Sequence, residues 1–183
     1  MFAHPTNYNK KGGTGMKTWL VFIAAVWSVW LVGCSEPVGR YAIEGYVVRK
    51  EGGSILVVSS DPQDFRSTGG LKEFYNAILV SNAPARVNIG QKVQVWMDGG
   101  IAESYPGQGK AGKVLVVPSS PRDGASLSEE EAIRQALKQE ESRLEQMIPV
   151  IRAVHYDKQA DTWTIQIKDA HERTEFDVRI KDE

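Results

Sequence analysis

Few side chains in this sequence could do chemistry, and each stands in a different setting. Cys34 is the only cysteine. Beyond it there are two imidazoles, His155 and His171. Metal sites bring such donors together, as in His-Glu-x-x-His on one helix face. His155 lies two residues from Asp157 and His171 is next to Glu172, on separate predicted elements, so neither spacing predicts a metal site. Ser104 and Ser128 have no neighbouring His and Asp to activate a nucleophile; they read as a turn residue and a helix cap. Gly107-Gln108-Gly109-Lys110 has the glycines of a phosphate loop, but not its Gly-Lys-Ser/Thr ending or the helix that follows. No catalytic residue, metal ligand or cofactor is predicted. What remains is recognition. Tyr105 and Gln108 in a loop, and Trp96 on a strand, offer aromatic faces and an amide to a sugar ring or a peptide. The same residues also fit an ordinary Tyr-Pro-Gly turn and barrel-wall packing.

The thiol is the most informative of these groups. Lys17 precedes an apolar run from Trp19 to Val32 in which Ser28 is the one polar residue. The run is shorter than the ~20 residues of a spanning helix and suits the apolar region of a signal peptide. Leu31-Val32-Gly33-Cys34 follows at once and resembles a bacterial lipobox. That resemblance implies a diacylglyceryl group on the Cys34 sulfur and cleavage before it. The signal peptide is then residues 16–33, and residues 34–40 become a tether. Two acyl chains suffice for stable attachment, so the expected address is the extracytoplasmic face of a cell membrane. Residues 1–15 are not a usual lead into such a signal. Gly12-Gly13 can be encoded by a ribosome-binding sequence ahead of the Met16 codon, so translation is expected to start at Met16.

The segment removed by cleavage carries Lys10, Lys11 and Lys17 and no acid. The remaining chain, residues 34–183, therefore has 19 basic against 23 acidic residues, a net charge near −4. Nucleic-acid modules carry a basic face, so a nucleic-acid partner is not expected.

Two units are expected on either side of a linker at 119–126, which lacks large apolar residues and contains Pro121 and Gly124. In the first, residues 41–118, runs rich in Val, Ile and Tyr at 41–49 and 54–60 flank Glu51-Gly52-Gly53 and predict a hairpin. Leu71 to Tyr75 is read as a short helix. Further strands are predicted at 77–81, 92–97 and 112–117. In the fourth, Val93 and Val95 share one face and Lys92, Gln94 and Trp96 the other. Five short strands with glycine-rich turns predict a small barrel. In the second unit, residues 127–183, Ser128-Glu129-Glu130-Glu131 is a capping box. It opens an amphipathic helix that Glu140 and Glu141 interrupt and Pro149 ends. Three period-two segments follow at 150–156, 162–168 and 174–180, a meander with one face buried on the helix. The fold class is thus mainly β with an α+β tail: an OB-like barrel, then a helix and a three-stranded antiparallel meander.

Gly45-Tyr46-Val47-Val48, Ser81-Asn82, Gly90-Gln91-Lys92-Val93-Gln94-Val95-Trp96 and Glu103-Ser104-Tyr105-Pro106-Gly107-Gln108 resemble the YobA-like lipoproteins of Gram-positive bacteria. That family has unknown function and an expected OB-like barrel. The resemblance implies the lipoprotein address and the barrel, and brings no catalytic residues. A standard OB barrel places its helix after the third strand, whereas the helix predicted here follows the second. The helix-plus-meander pattern is similar to PepSY-type modules, small extracytoplasmic domains linked to regulation.

The expected protein is a monomeric, non-enzymatic binding or regulatory module whose partner is a protein. The alternative is a barrel that takes cell-wall sugar or peptide through the Tyr105 loop; a hydrolase ranks third.

Overall fold

The computed structural model describes Met1 and residues 40–182. Cys34, the signal segment and the expected start at Met16 lie outside the described residues.

The alternating runs of the first half become five strands: β1 Ile43–Glu51, β2 Ser54–Val58, β3 Ala77–Ser81, β4 Lys92–Met97 and β5 Gly107–Val117. They close into a barrel in the order β1-β2-β3-β5-β4, with β4 pairing back onto β1. The β3–β5 pairing is parallel and the others antiparallel. This is the five-stranded barrel of OB type. Side chains alternate across each strand, so Val47, Ile55, Val57, Ile78, Val80, Val93 and Val95 fill the interior. Lys92, Gln94 and Trp96 face outward and are half-buried.

Two elements differ from expectation. No helix forms at 71–75; a single 3-10 turn at Arg66–Thr68 precedes it, and Phe74 pairs with Gln63 in an isolated antiparallel bridge. Five residues after two glycines cannot offset the cost of helix nucleation. Extended backbone lets Phe74 pack edge-on to Phe65, ring centroids 5.5 Å apart. The fifth strand begins at Gly107, five residues earlier than its Val-rich stretch, because Gly107–Lys110 pairs with Ile78–Ser81. The glycines that resemble a loop permit a close approach. A Cβ on Gly107 would meet Ile101 Cγ2 at 3.0 Å, and one on Gly109 would meet Met97 Sδ at 3.1 Å.

The second half forms α1 Glu129–Gln139, α2 Glu141–Leu144, β6 Pro149–Asp157, β7 Thr162–Asp169 and β8 Glu175–Lys181, the strands pairing in that order as an antiparallel sheet. The capping box is in place: Glu131 N donates to Ser128 Oγ at 3.3 Å and Ser128 N to Glu131 Oε2 at 3.0 Å. The helix breaks at Glu140, where the two glutamates interrupt its apolar stripe. Ala132, Ile133, Ala136 and Leu137 of α1 pack on Trp163, Ile165, Ile167, Val178 and Ile180.

That second core does not stop at residue 127. Val48, Leu56, Val58, Tyr75 and Ala77, on the outside of the barrel, belong to the same apolar cluster, and residues Gly39–Glu183 group as one compact unit. Gly90 shows how close the halves lie: a Cβ there would sit 2.2 Å from the Glu130 carbonyl oxygen. Tyr46 Oη donates to Glu129 Oε1 at 2.8 Å, and burial together with that carboxylate pushes the phenol pKa well up. The stretch 119–126 connects the two architectures along the chain, while the apolar packing runs across it.

Asp182 holds the far end of this connection. Its carboxylate is buried and accepts from Ser126 N at 2.5 Å, Leu127 N at 2.8 Å and Trp163 Nε1 at 2.9 Å. Burial alone would raise its pKa, but the two amides and the indole outweigh it and hold the carboxyl below its ordinary value. A depressed carboxyl stabilises fully above the unfolded-state pKa of about 3.9 and loses that stabilisation as pH falls through the folded-state value. Asp182→Asn, which turns an amide NH₂ toward backbone donors, is therefore expected to lower the urea midpoint at pH 7. The gap to the parent should narrow as pH drops below about 3.9. A gap of constant size at pH 7 and pH 3 would show that the charge is not what matters.

Candidate functional site

The structure brings Tyr105 and Gln108 near one another and sets Trp96 apart. Tyr105, in the loop between β4 and β5, is half-buried. Its Oη donates to the Tyr75 carbonyl at 2.7 Å. Its ring meets Phe74 at 5.5 Å and, edge-on, His171 at 4.8 Å between centroids. Burial, with a smaller contribution from the Asp169 charge, pushes its pKa up to about 12. The Tyr105 ring thus packs the β4–β5 loop against the turn between β7 and β8. Gln108, at the start of β5, is exposed and its Nε2 lies 3.5 Å from Ser104 Oγ. With Pro106, Leu79, Leu56 and Arg49 it lines a shallow cavity of about 250 Å³ on the outer face of the barrel. Trp96 stands on the outer face of β4, edge-on to Tyr41 at 6.1 Å, with Lys113 Nζ 5.1 Å from its ring centroid.

The other polar candidates stay separate. His155 is exposed on β6 opposite Thr164, and His171 is exposed in the β7–β8 turn. Ser104 Oγ donates to the Pro106 carbonyl at 2.7 Å, inside its own turn, and Ser128 caps α1. Among the described residues no three His, Cys, Asp or Glu side chains cluster as metal ligands would.

Sequence reasoning missed two features. One is a charged seam: Glu73 Oε2 accepts from Lys168 Nζ at 2.5 Å, Arg152 lies 3.8 Å from Glu73, and Arg152 donates to the hydroxyl of Tyr75, which is fully buried. The hydrogen bond from Lys168, ahead of the charges of Lys168 and Arg152, holds the Glu73 carboxyl below the usual range. The one carboxylate of Glu73, from the first half, meets two cations of the second, so the seam joins the halves. The other is a groove of about 650 Å³ between β1 and the two helices. Val48, Ile89, Leu137 and Leu144 give it an apolar floor, and Arg134, Lys138, Glu51 and Glu141 stand at its rim. Arg49 closes one end, donating to the carbonyls of Leu144 at 2.5 Å and Met147 at 2.7 Å. One signal for this seam was legible. In Ile55-Leu56-Val57-Val58 both faces are apolar, and a continuous apolar strand is one covered on both sides.

OB barrels take oligonucleotides and oligosaccharides on strands 2 and 3 and the adjoining loops. Here Leu56, Val58 and Ala77 of that face are buried under the second half. The groove and the small Gln108 cavity are what remain beside it. No curated protein and no solved structure matches the chain. Residues 44–118, which run from β1 to just past the end of β5, match the family model described as Protein of unknown function (DUF3221).

Proposed function

We propose that this chain is a non-enzymatic binding or regulatory module, held at the outer face of a cell membrane by a diacylglyceryl group on Cys34. Its placement follows the Leu31-Val32-Gly33-Cys34 pattern and the resemblance to YobA-like lipoproteins. The observation that carries the binding role is the groove between β1 and α1. Its volume falls within the ~300–1,000 Å³ of ligand sites, and it sets an apolar floor between rims of both charges. No aromatic side chain lines it, so it lacks the platform on which a sugar ring stacks and suits a peptide segment of a protein partner. The second reading, a wall sugar or peptide on the barrel itself, draws support from the open cavity beside Gln108 and Pro106.

Photocrosslinking in cells separates the two. A crosslinking residue at Lys138 is expected to capture one discrete protein, and Leu137→Asp is expected to abolish that product. The same residue at Gln108 is expected to give no comparable product. Wall fragments captured at Gln108, with nothing specific at Lys138, would move the site to the barrel cavity.

A further inference from the structure

We propose that β8 is a self-association edge, along which two copies of this chain pair antiparallel about Val178 to form one six-stranded sheet. This goes beyond the binding groove, does not depend on the anchor, and replaces the monomer expected from sequence. A strand with one unpaired side offers a row of backbone donors and acceptors to another chain. The two outer strands of the sheet β6-β7-β8 differ in this respect. β6 runs close to β1 and β2 of the barrel, whereas among the described residues β8 pairs with β7 alone. Its register is unbroken from Glu175 to Lys181, with neither a proline nor a bulge to blunt the edge. The two ends of the β7–β8 ladder fix which groups turn outward. Asp169 N donates to the Thr174 carbonyl at 2.9 Å, and Asp182 N to the Asp161 carbonyl at 3.2 Å. Bonded and non-bonded pairs alternate along an antiparallel ladder, so Phe176, Val178 and Ile180 bond to β7. Glu175, Asp177, Arg179 and Lys181 therefore aim their backbone N–H and C=O groups at the open edge.

A second β8 satisfies those groups only where odd-numbered residues face odd-numbered ones. Centred on Val178, Asp177 of each copy lies opposite Arg179 of the other, so the two-fold axis generates the ion pair twice. The neighbouring allowed registers set Asp177 against Asp177, or Arg179 against Arg179. Like charges directly opposite are destabilising, so charge selects the centred register. Both side chains are exposed, and among the described residues neither is engaged in an ion pair or a side-chain hydrogen bond. On the other face the same register sets the half-buried Phe176 beside Ile180, so apolar meets apolar there. Charges that only guard an edge need no such order. One strand pair lies at the small end of specific interfaces, below roughly 1,200 Å², so the dimer is weak and forms with rising concentration.

Charge reversal tests both the edge and the register. The full chain, in a density-matched non-ionic detergent, is followed by sedimentation equilibrium over a dilution series up to its solubility limit. The parent is expected to pass from monomer to dimer. Asp177→Arg and Arg179→Asp should each weaken the dimer about tenfold or more, because two attractive pairs become two repulsive ones. An equimolar mixture of the two variants should recover the parental affinity as a heterodimer, since each arginine then faces an aspartate. That recovery also shows that both variants fold. The double variant keeps the parental net charge and should dimerise like the parent. A parent that stays monomeric throughout overturns the proposal. So does a dimer that both reversals leave unchanged, or a mixture that associates no more tightly than either variant alone.

Discussion

Replacing Cys34 with alanine is expected to abolish incorporation of labelled fatty acid and release the folded chain from the membrane fraction. The effect should be all-or-none, because Cys34 is the only thiol in the sequence. Among the described residues, no helix is long and apolar enough to cross a membrane. A single acyl chain binds a bilayer only marginally, whereas two anchor it. If the Cys34 sulfur carries the proposed diacylglyceryl group, its loss removes stable attachment, not a fraction of it. Metabolic labelling followed by fractionation checks both halves of the statement. Unchanged acyl labelling in Cys34→Ala would sink the anchor outright. Loss of label with undiminished membrane retention would mean that another segment holds the chain.

Trp163→Ala is expected to be the most destabilising single substitution in the second half. Among the described residues, Trp163 is the largest fully buried side chain. Its ring lies 5.1 Å from that of Tyr156 and its indole N–H serves the buried Asp182. Truncating a core tryptophan costs about 3–5 kcal/mol, against a total stability of roughly 5–15 kcal/mol. With a urea dependence of about 2 kcal/mol per molar, the midpoint should fall by about 2 M. The barrel should fall with it, because Val48, Leu56, Val58, Tyr75 and Ala77 share the cluster that Trp163 fills. In the chain from residue 34 on, Trp96 is then the sole tryptophan and reports on the barrel, while far-UV dichroism reports on the whole. Coincident transitions at the lowered midpoint are expected. A barrel transition that keeps its parental midpoint while the meander melts early would show two independent domains joined at 119–126.

The elements of this protein could be read locally because their causes are local. Alternation at Val93 and Val95 placed β4, and the period-two runs at 162–168 and 174–180 placed β7 and β8 to within a residue. Ser128 and Glu131 marked the start of α1, and Glu140 marked its break. Even the OB-type order of the barrel agrees with five short strands between glycine-rich turns. The segment at 71–75 failed because a five-residue apolar stretch has no period long enough to distinguish a helix from extended backbone.

What the chain does with its outer surfaces was not legible, because that depends on residues far apart in sequence. Alternation says which side chains share a face and leaves open what covers it. Only the folded protein shows Leu56 and Val58 sharing an apolar cluster with α1 and the meander, and Glu73 reaching Lys168. Only the folded protein turns Tyr105 from a free aromatic into a side chain packed between Phe74 and His171. The groove belongs to the same class: Val48 and Leu137 line it together only because the second half settles on β1. The sequence by itself determined the strands, the helix cap, the break and the pattern around Cys34, each written within a few consecutive residues. The tertiary structure decided which faces are closed and which stay open, because burial is a property of the pair of surfaces that meet and not of either one alone.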